Sequence, residues 1–295
     1  MTLTITPVDR RRPDFAGRVT GVDIAAGVAP DVAARIDEAM DRYAVLTFHE
    51  QVIDDSQQYA FSQHFGPMEQ ATGDIAAPGD RRLSMDINDI SNLDQHGHVL
   101  ARDDRRRLFA FGNMLWHSDS SFKPTPAKYS LLSARSVPGI GGNTEFADMR
   151  AAWDTLNPSL QDECRDLVCE HSQLYSRGLL GFTDFTDEER AKWAAVPQRL
   201  VRRHPRTGRL SLFLASHAGA IQGWPMPEAR MFLRDLIEHA TQRRFVYAHE
   251  WRQWDLVMWD NRVVMHRARR YDDSKPRDLH RTTVADSAPT LDQPA

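Results

Sequence analysis

The sequence predicts a mixed β fold with flanking helices, arranged as a β-sandwich or jelly roll. Three observations carry this. Short apolar runs bounded by Gly, Pro, Asn and Asp recur along the chain, helical spacing is confined to a few segments, and strands do not alternate with helices as in a doubly wound sheet. β-Sandwiches and barrels often exceed about 200 residues as one unit, so one domain is expected over 1–288 of the 295 residues. The tail, 289–295, is expected to be disordered.

Taken in order, Thr2–Thr6 and Gly17–Ile24 read as short strands. Val32, Ile36, Ala39, Met40 and Tyr43 stand at helical spacing after Asp31, a residue type suited to an N-cap. Ala44–Phe48 suits a buried strand. Asp55-Ser-Gln-Gln58 has a capping-box pattern for a helix that would present Phe61 and Phe65 on one face before Gly66-Pro67. Residues 70–112 read as long loops around one strand, Leu83–Ile90, and loops of that length are usually functional or disordered. Tyr129–Ser136 and Thr144–Phe146 are strands joined through Pro138-Gly-Ile-Gly-Gly142. Asn157-Pro158 opens a helix, with Asn as cap and Pro at the first helical position. Residues 176–197 read as loop and short helix. Leu200–Arg203, Leu210–Ala215, Phe245–His249, Leu256–Trp259 and Arg281–Ala285 are strands, with a helix at Pro227–Ala240 among them. Met231, Leu233, Leu236, Ile237 and Ala240 are its apolar positions.

Composition narrows the function. Hydrophobic residues make up 41% and charged residues 26%, enough apolar material for a sizeable core. A net charge of −4 gives no global basic field, so nucleic acid is not an expected partner. Basic runs at Arg10–Arg12, Arg105–Arg107 and Arg267–Arg270 read as solvated or paired surface. Cys164 and Cys169 are too few for a disulfide framework or a Cys-rich zinc site. The first residues contain no apolar signal core, and no stretch approaches the ~18 apolar residues of a membrane span. A cytoplasmic protein without a membrane partner is expected.

The chemistry concentrates in Asn113-Met-Leu-Trp-His-Ser-Asp119. His117 and Asp119, two apart, point to the same side of an extended chain. One imidazole and one carboxylate suit Fe(II), Mn(II) or Zn(II), and a third ligand is available at His266, at the end of Trp259-Asp-Asn-Arg-Val-Val-Met-His266. Two histidines and a carboxylate on one face of an octahedral ion leave three adjacent positions open, the facial triad of non-haem iron oxygenases. Any one of the 12 histidines is more simply a core or surface residue, and a bare His-x-Asp pair is weak evidence. Trp116 and Trp259 beside these residues are most simply packing, and Gly141-Gly142 is a turn.

Further segments give the pair a context. Leu115-Trp-His-Ser-Asp-Ser-Ser-Phe122, Gly141-Gly-Asn-Thr-Glu-Phe-Ala-Asp-Met-Arg-Ala-Ala-Trp153, Glu238-His-Ala-Thr-Gln-Arg243 and Leu256-Val-Met-Trp-Asp-Asn-Arg262 follow in that order. With Ala44–Phe48 and His64-Phe-Gly-Pro67, they resemble the TauD/TfdA family of Fe(II)- and 2-oxoglutarate-dependent dioxygenases. The resemblance is strongest to its 2,4-dichlorophenoxyacetate branch. It implies a double-stranded β-helix (jelly roll, cupin-like) with iron at its mouth, held by His117, Asp119 and His266. It also implies Thr144 and Arg277 as the grip on the distal carboxylate of 2-oxoglutarate, a task for which a guanidinium fork and a hydroxyl are suited. Arg281 matches a position that contacts the substrate anion or the keto-acid carboxylate, and Asn113 one that orients substrate or oxygen; a turn residue is an equally good reading of Asn113.

The implied reaction consumes O2 and 2-oxoglutarate, with ascorbate as a stimulant. It hydroxylates an aryloxyalkanoate next to the ether oxygen, giving a phenol and glyoxylate with succinate and CO2. A small anionic substrate and a homo-oligomer are the implied partners. The match loosens at the substrate end: that branch has lysines where Asp74 and His98 align and a further histidine near Ala220, whereas His204 and His217 match. Three alternatives stay open: a taurine, alkylsulfonate or sulfate-ester dioxygenase, a zinc hydrolase on the same ligands, and a non-catalytic jelly-roll binding protein.

Overall fold

The computed structural model describes residues 2–71 and 75–294. In chain order the elements are β1 (Thr4–Pro7), β2 (Gly17–Thr20), α1 (Pro30–Tyr43), β3 (Val45–Phe48), α2 (Asp55–Gln63), β4 (Asn88–Ser91), α3 (Arg105–Ala110), β5 (Ala127–Ser136) and β6 (Thr144–Asp148). There follow α4 (Met149–Asp154), α5 (Pro158–Cys164), β7 (Val168–His171), α6 (Gln173–Gly178), α7 (Asp187–Lys192), β8 (Val196–Arg199), β9 (Val201–Arg203), β10 (Leu210–Leu212) and β11 (Ala218–Ile221). The chain ends with α8 (Met226–Ala240), β12 (Val246–His249), β13 (Leu256–Asp260), β14 (Val264–Ala268) and β15 (Asp278–Ala285).

A seven-stranded sheet in the order β1-β2-β3-β13-β5-β15-β4 forms one layer, and the sheet β12-β6-β14 lies against it. The alternation along β5 and β13 shows why both faces of the large sheet are buried. Tyr129, Leu131, Leu256 and Met258 face α1 and α2, where they pack with Ile36, Met40 and Phe61. Leu132, Ala134, Val257 and Trp259 face the other way and meet Phe146 and Val264 of the smaller sheet. A third apolar cluster joins α4 and α8 to β7, β10 and β11. None of the described helices is long and apolar enough to cross a membrane.

Several boundaries differ from the sequence expectation for local reasons. α1 starts at Pro30 with Ala29 as an extended N-cap that makes no side-chain bond, so Asp31 lies in the first turn and does not cap it. The capping box of α2 is one residue earlier than expected: Asp54 and Gln57 satisfy each other's backbone N–H groups. Gln58 is needed inside, where its amide donates to the Leu131 and His280 carbonyls at 3.0 and 2.9 Å. On α8 Met231 is 54% exposed, leaving Ala229, Leu233, Leu236 and Ala240 as the buried stripe.

Among its described residues, the 70–112 region is more ordered than its sequence suggests. The expected strand Leu83–Ile90 shrinks to β4, and the arginine-rich stretch forms α3, capped by the Asp104 carboxylate on the Arg106 N–H. The C-terminal stretch, expected to be disordered, is packed instead. Thr290 is buried, its hydroxyl donating to Gln198 Oε1 at 2.7 Å and accepting the Arg199 N–H at 3.0 Å. Polar anchoring of a tail leaves no apolar periodicity to detect. Cys164 and Cys169 are buried free thiols, as two isolated core cysteines would be.

Candidate metal centre

His117 and His266 are placed by one β-bridge. The His117 N–H donates to the His266 carbonyl at 3.0 Å and the His266 N–H returns the bond at 2.8 Å. The ring centroids are 4.2 Å apart. The segment around His117 is thus an isolated bridge and not the strand that its spacing suggested, yet the alternation holds. Ser118 points away and donates to the Leu214 and Val264 carbonyls, while His117 and Asp119 share the opposite side. Immediately after Asp119 the chain turns through Ser120 at φ 55°, held by its hydroxyl on Glu69 Oε1 at 2.7 Å.

Asp119 is fixed by three hydrogen bonds. Its N–H donates to Asn261 Oδ1 at 3.0 Å, Ser130 Oγ donates to its Oδ2 at 2.7 Å, and Arg281 donates to its Oδ1. The two Nε2 atoms complete the set, His117 at 3.8 Å from Oδ1 and His266 at 3.7 Å from Oδ2. Asn261 in turn donates to Ser130 Oγ at 2.9 Å and accepts the Trp259 indole N–H at 3.0 Å. Trp259 therefore does more than pack. Ser130 and Asn261 were missed from sequence because only strand register brings them to Asp119.

The electrostatics suit a cation. All three side chains are buried and converge, one ligand atom from each lying within 4.8 Å of the others. Burial outweighs the neighbouring carboxylate and pulls the His117 and His266 pKa values down, keeping both imidazoles neutral. Burial pushes the other way at Asp119, but the Arg281 guanidinium, helped by the Ser130 hydroxyl, overcomes it and holds the carboxyl below the usual carboxylate range. His117 Nδ1 lies 2.8 Å from the Leu115 carbonyl, which makes it the protonated nitrogen and leaves the Nε2 lone pair for a metal. Two neutral imidazoles and one ionised carboxylate are a complete facial set, so the residues fit a divalent first-row ion.

Arg277 reaches the segment that leads into Thr144, through the Gly142 carbonyl two residues before it. Thr144 opens β6 and pairs with Ala268, two residues beyond His266 on β14. The Arg277 guanidinium donates to the carbonyls of Gly142 and Ile90, both at 3.4 Å, and lies over the Tyr271 ring. It is buried, and among the described residues no carboxylate pairs with it; burial without such a partner lowers its pKa. Thr144 Oγ1 accepts the Trp251 indole N–H at 3.0 Å, so its own proton is free to donate. A buried cation without a carboxylate partner is chemically suited to an anionic group.

A cavity of about 140 Å³ opens over His117 and Asp119, lined also by Asn113 and Arg281. Much of its wall comes from the 70–112 region, including Leu83, Ile87, Leu93 and Phe109. His217 also lines it, its ring centroid 5.9 Å from that of His117. Of the remaining sequence candidates, His98 is 80% exposed beside Asp94 and does not line the cavity. His204 is buried against Asp260 and Arg262, in a structural ion-pair network outside the cavity. Asp74 lies outside the described residues. Arg177, which sequence reading passed over, is buried on the wall.

The comparisons with known proteins agree with this arrangement. A family model described as "Taurine catabolism dioxygenase TauD, TfdA family" matches residues 6–283. The chain is 46% identical over 276 residues to the alpha-ketoglutarate-dependent 2,4-dichlorophenoxyacetate dioxygenase of Cupriavidus pinatubonensis, covering 94% of this chain and 96% of that protein. It is 36% identical over 292 residues to the (S)-phenoxypropionate/alpha-ketoglutarate-dioxygenase of Sphingobium herbicidovorans, covering 95% and 94%. The crystal structure of AAD-2 in complex with Mn(II) and N-oxalylglycine superposes with a TM-score of 0.95 at 55% identity, covering 98% of this chain and 100% of that one.

Proposed function

Given that the chain belongs to the TauD/TfdA family of dioxygenases, we propose that it hydroxylates an aryloxyalkanoate such as 2,4-dichlorophenoxyacetate next to the ether oxygen. The reaction is Fe(II)- and 2-oxoglutarate-dependent; the hemiacetal product collapses to a phenol and glyoxylate. The observation that carries this is the convergence of His117, Asp119 and His266, the first two lining a cavity, together with a buried arginine, Arg277, that has no carboxylate partner among the described residues. The 46% identity to a 2,4-dichlorophenoxyacetate dioxygenase over nearly the whole chain supports the substrate class.

His117, Asp119 and His266 would hold a ferrous ion, which together with 2-oxoglutarate would supply oxygen activation, with succinate and CO2 as co-products. Arg277 binds the distal carboxylate of 2-oxoglutarate through its fork, and Thr144 donates its free proton to the same group. Arg281 keeps Asp119 ionised and turned toward the imidazoles, and its remaining donors serve an incoming carboxylate. Asn113 orients substrate from the turn Phe111–Met114. The apolar wall from Leu83, Ile87, Leu93 and Phe109 receives the aryl ring and excludes water. The two apposed β layers, with His117 bridged to His266 of β14, support a double-stranded β-helix with its mouth at this cavity.

The test is a screen of aryloxyacetates, aryloxypropionates, taurine and alkyl sulfates under Fe(II), 2-oxoglutarate and oxygen, with succinate and phenol measured together. Matched succinate and phenol from an aryloxyalkanoate is the expected result. Sulfite or sulfate release with no phenol would move the substrate to the sulfonates or sulfate esters. Turnover with zinc and without oxygen would replace the oxygenase reading with a hydrolase.

A further inference from the structure

Arg177 lies on α6 and is only 4% exposed. Its guanidinium carbon stands 4.3 Å from the centre of the Phe109 ring, and one terminal nitrogen donates to Ser176 Oγ at 3.2 Å. Its Nε has no hydrogen-bond partner, and among the described residues no carboxylate pairs with it. Three other arginines on the cavity wall each have a carboxylate partner. Arg82 is held by Asp89 and Asp278, Arg106 by Asp104, and Arg281 by Asp119. The fold makes room for Arg177. A Cβ on Gly112 would sit 2.3 Å from its guanidinium carbon, so the turn that carries Asn113 is shaped around this side chain.

A buried charge without a counter-charge is costly unless a ligand supplies one. Burial alone pulls the Arg177 pKa down to about 9, which still leaves the group charged at neutral pH. Its field reaches both His117 and His217 on the same wall. An aryloxyalkanoate carries its carboxylate on the very carbon that is oxidised, so a cation that binds it must stand close to the metal ligands. We propose that Arg177 binds the substrate carboxylate and makes the cavity selective for anionic aryl ethers. This rests on the aryloxyalkanoate reading above and deepens it. Arg281, committed to Asp119, is then relieved of holding the substrate anion alone.

The experiment compares wild type with Arg177→Gln and Arg177→Lys, using phenoxyacetate as substrate and neutral phenoxyacetamide as competitive inhibitor. Loss of a charge-assisted bond to a carboxylate predicts a roughly 10- to 100-fold fall in kcat/KM for phenoxyacetate in Arg177→Gln, with the amide inhibition constant moving less than about threefold. Arg177→Lys should recover part of the loss, and the 2-oxoglutarate requirement should stay unchanged. If acid and amide weaken together, or if the 2-oxoglutarate requirement rises with them, Arg177 only packs the wall and the inference is overturned. Failure of the wild type to release phenol from any aryloxyalkanoate is a different result: it removes the substrate reading itself, and this inference with it.

Discussion

The backbones of His117 and His266 exchange two hydrogen bonds, so both imidazoles are positioned by a single β-bridge and not by their own loops. The bridge survives loss of either side chain because main-chain groups make it. His117→Ala, Asp119→Ala and His266→Ala should therefore each abolish turnover while the circular dichroism spectrum and melting transition stay near wild type. Normal oxygen consumption by one of these variants, with iron content confirmed, would remove that residue from the triad.

Ser130 and Asn261 should matter for metal affinity although neither is a ligand. Ser130→Ala removes the donor to Asp119 Oδ2 and leaves the Asn261 amide without its acceptor. Loss of a group that orients a ligand typically costs about 10- to 100-fold in metal affinity. Calorimetric titration with Mn(II) should show that loss, and unchanged binding would mean that Arg281 and the Asn261 carbonyl suffice to orient Asp119.

The 2-oxoglutarate grip predicts a separation of effects. Arg277→Ala should raise the 2-oxoglutarate requirement by roughly 10- to 150-fold, from about 1.5–3 kcal/mol of charge-assisted bonding, with little change in Mn(II) affinity. Thr144→Val should follow in the same direction by a smaller factor. An unaltered 2-oxoglutarate titration in Arg277→Ala would mean that another cation holds the distal carboxylate.

How far the sequence foretold this site depended on the range of each contact. His117 and Asp119 are two apart and needed only the period of an extended chain, while Thr144 and Arg277 were reached through family resemblance. Ser130, Asn261 and Arg177 carry no such mark. Ser130 reaches Asp119 because β5 pairs with β13 in the register Ser130↔Trp259, which also brings Asn261 within reach. Arg177 is one of many arginines until α6 is packed beneath Phe109. The apolar strands were legible because both faces of β5 and β13 are buried, whereas α3 was hidden by three arginines that mask its periodicity.

A pH dependence of stability should originate at His280. Its Nδ1 lies 2.5 Å from Asp55 Oδ1 and its Nε2 3.1 Å from Asp278 Oδ1, with Arg82 on Asp278 and Arg135 on Asp55. Burial lowers its pKa, but the two carboxylates outweigh that and raise it. A raised folded-state value means the stabilisation is complete below the unfolded value of about 6.5 and is lost as pH climbs through the folded one. The wild-type melting temperature should therefore fall over that window, and His280→Gln should flatten the fall. A slope that persists in His280→Gln would assign it to another group.

The choice of ring should be set by the wall from the 70–112 region. Ile87 is buried and lines the cavity together with Leu83 and Leu93. An apolar wall discriminates by volume, and each missing methylene is worth about 1–3 kcal/mol, or roughly 10- to 200-fold. Shortening Ile87 removes more than one carbon, but the cavity left behind can be refilled by a larger substituent on the ring. Ile87→Ala should thus lower kcat/KM for phenoxyacetate more than for a bulkier chlorinated analogue, so the ratio between them shifts toward the larger ring. The 2-oxoglutarate requirement should not move, because the Ile87 side chain is not among the groups that hold Arg277 or Thr144. Succinate and phenol must be measured together, since a loosened pocket can decarboxylate 2-oxoglutarate without oxidising substrate. If the ratio of the two kcat/KM values is unchanged while both fall, Ile87 supports the fold of the region and the ring lies elsewhere in the cavity.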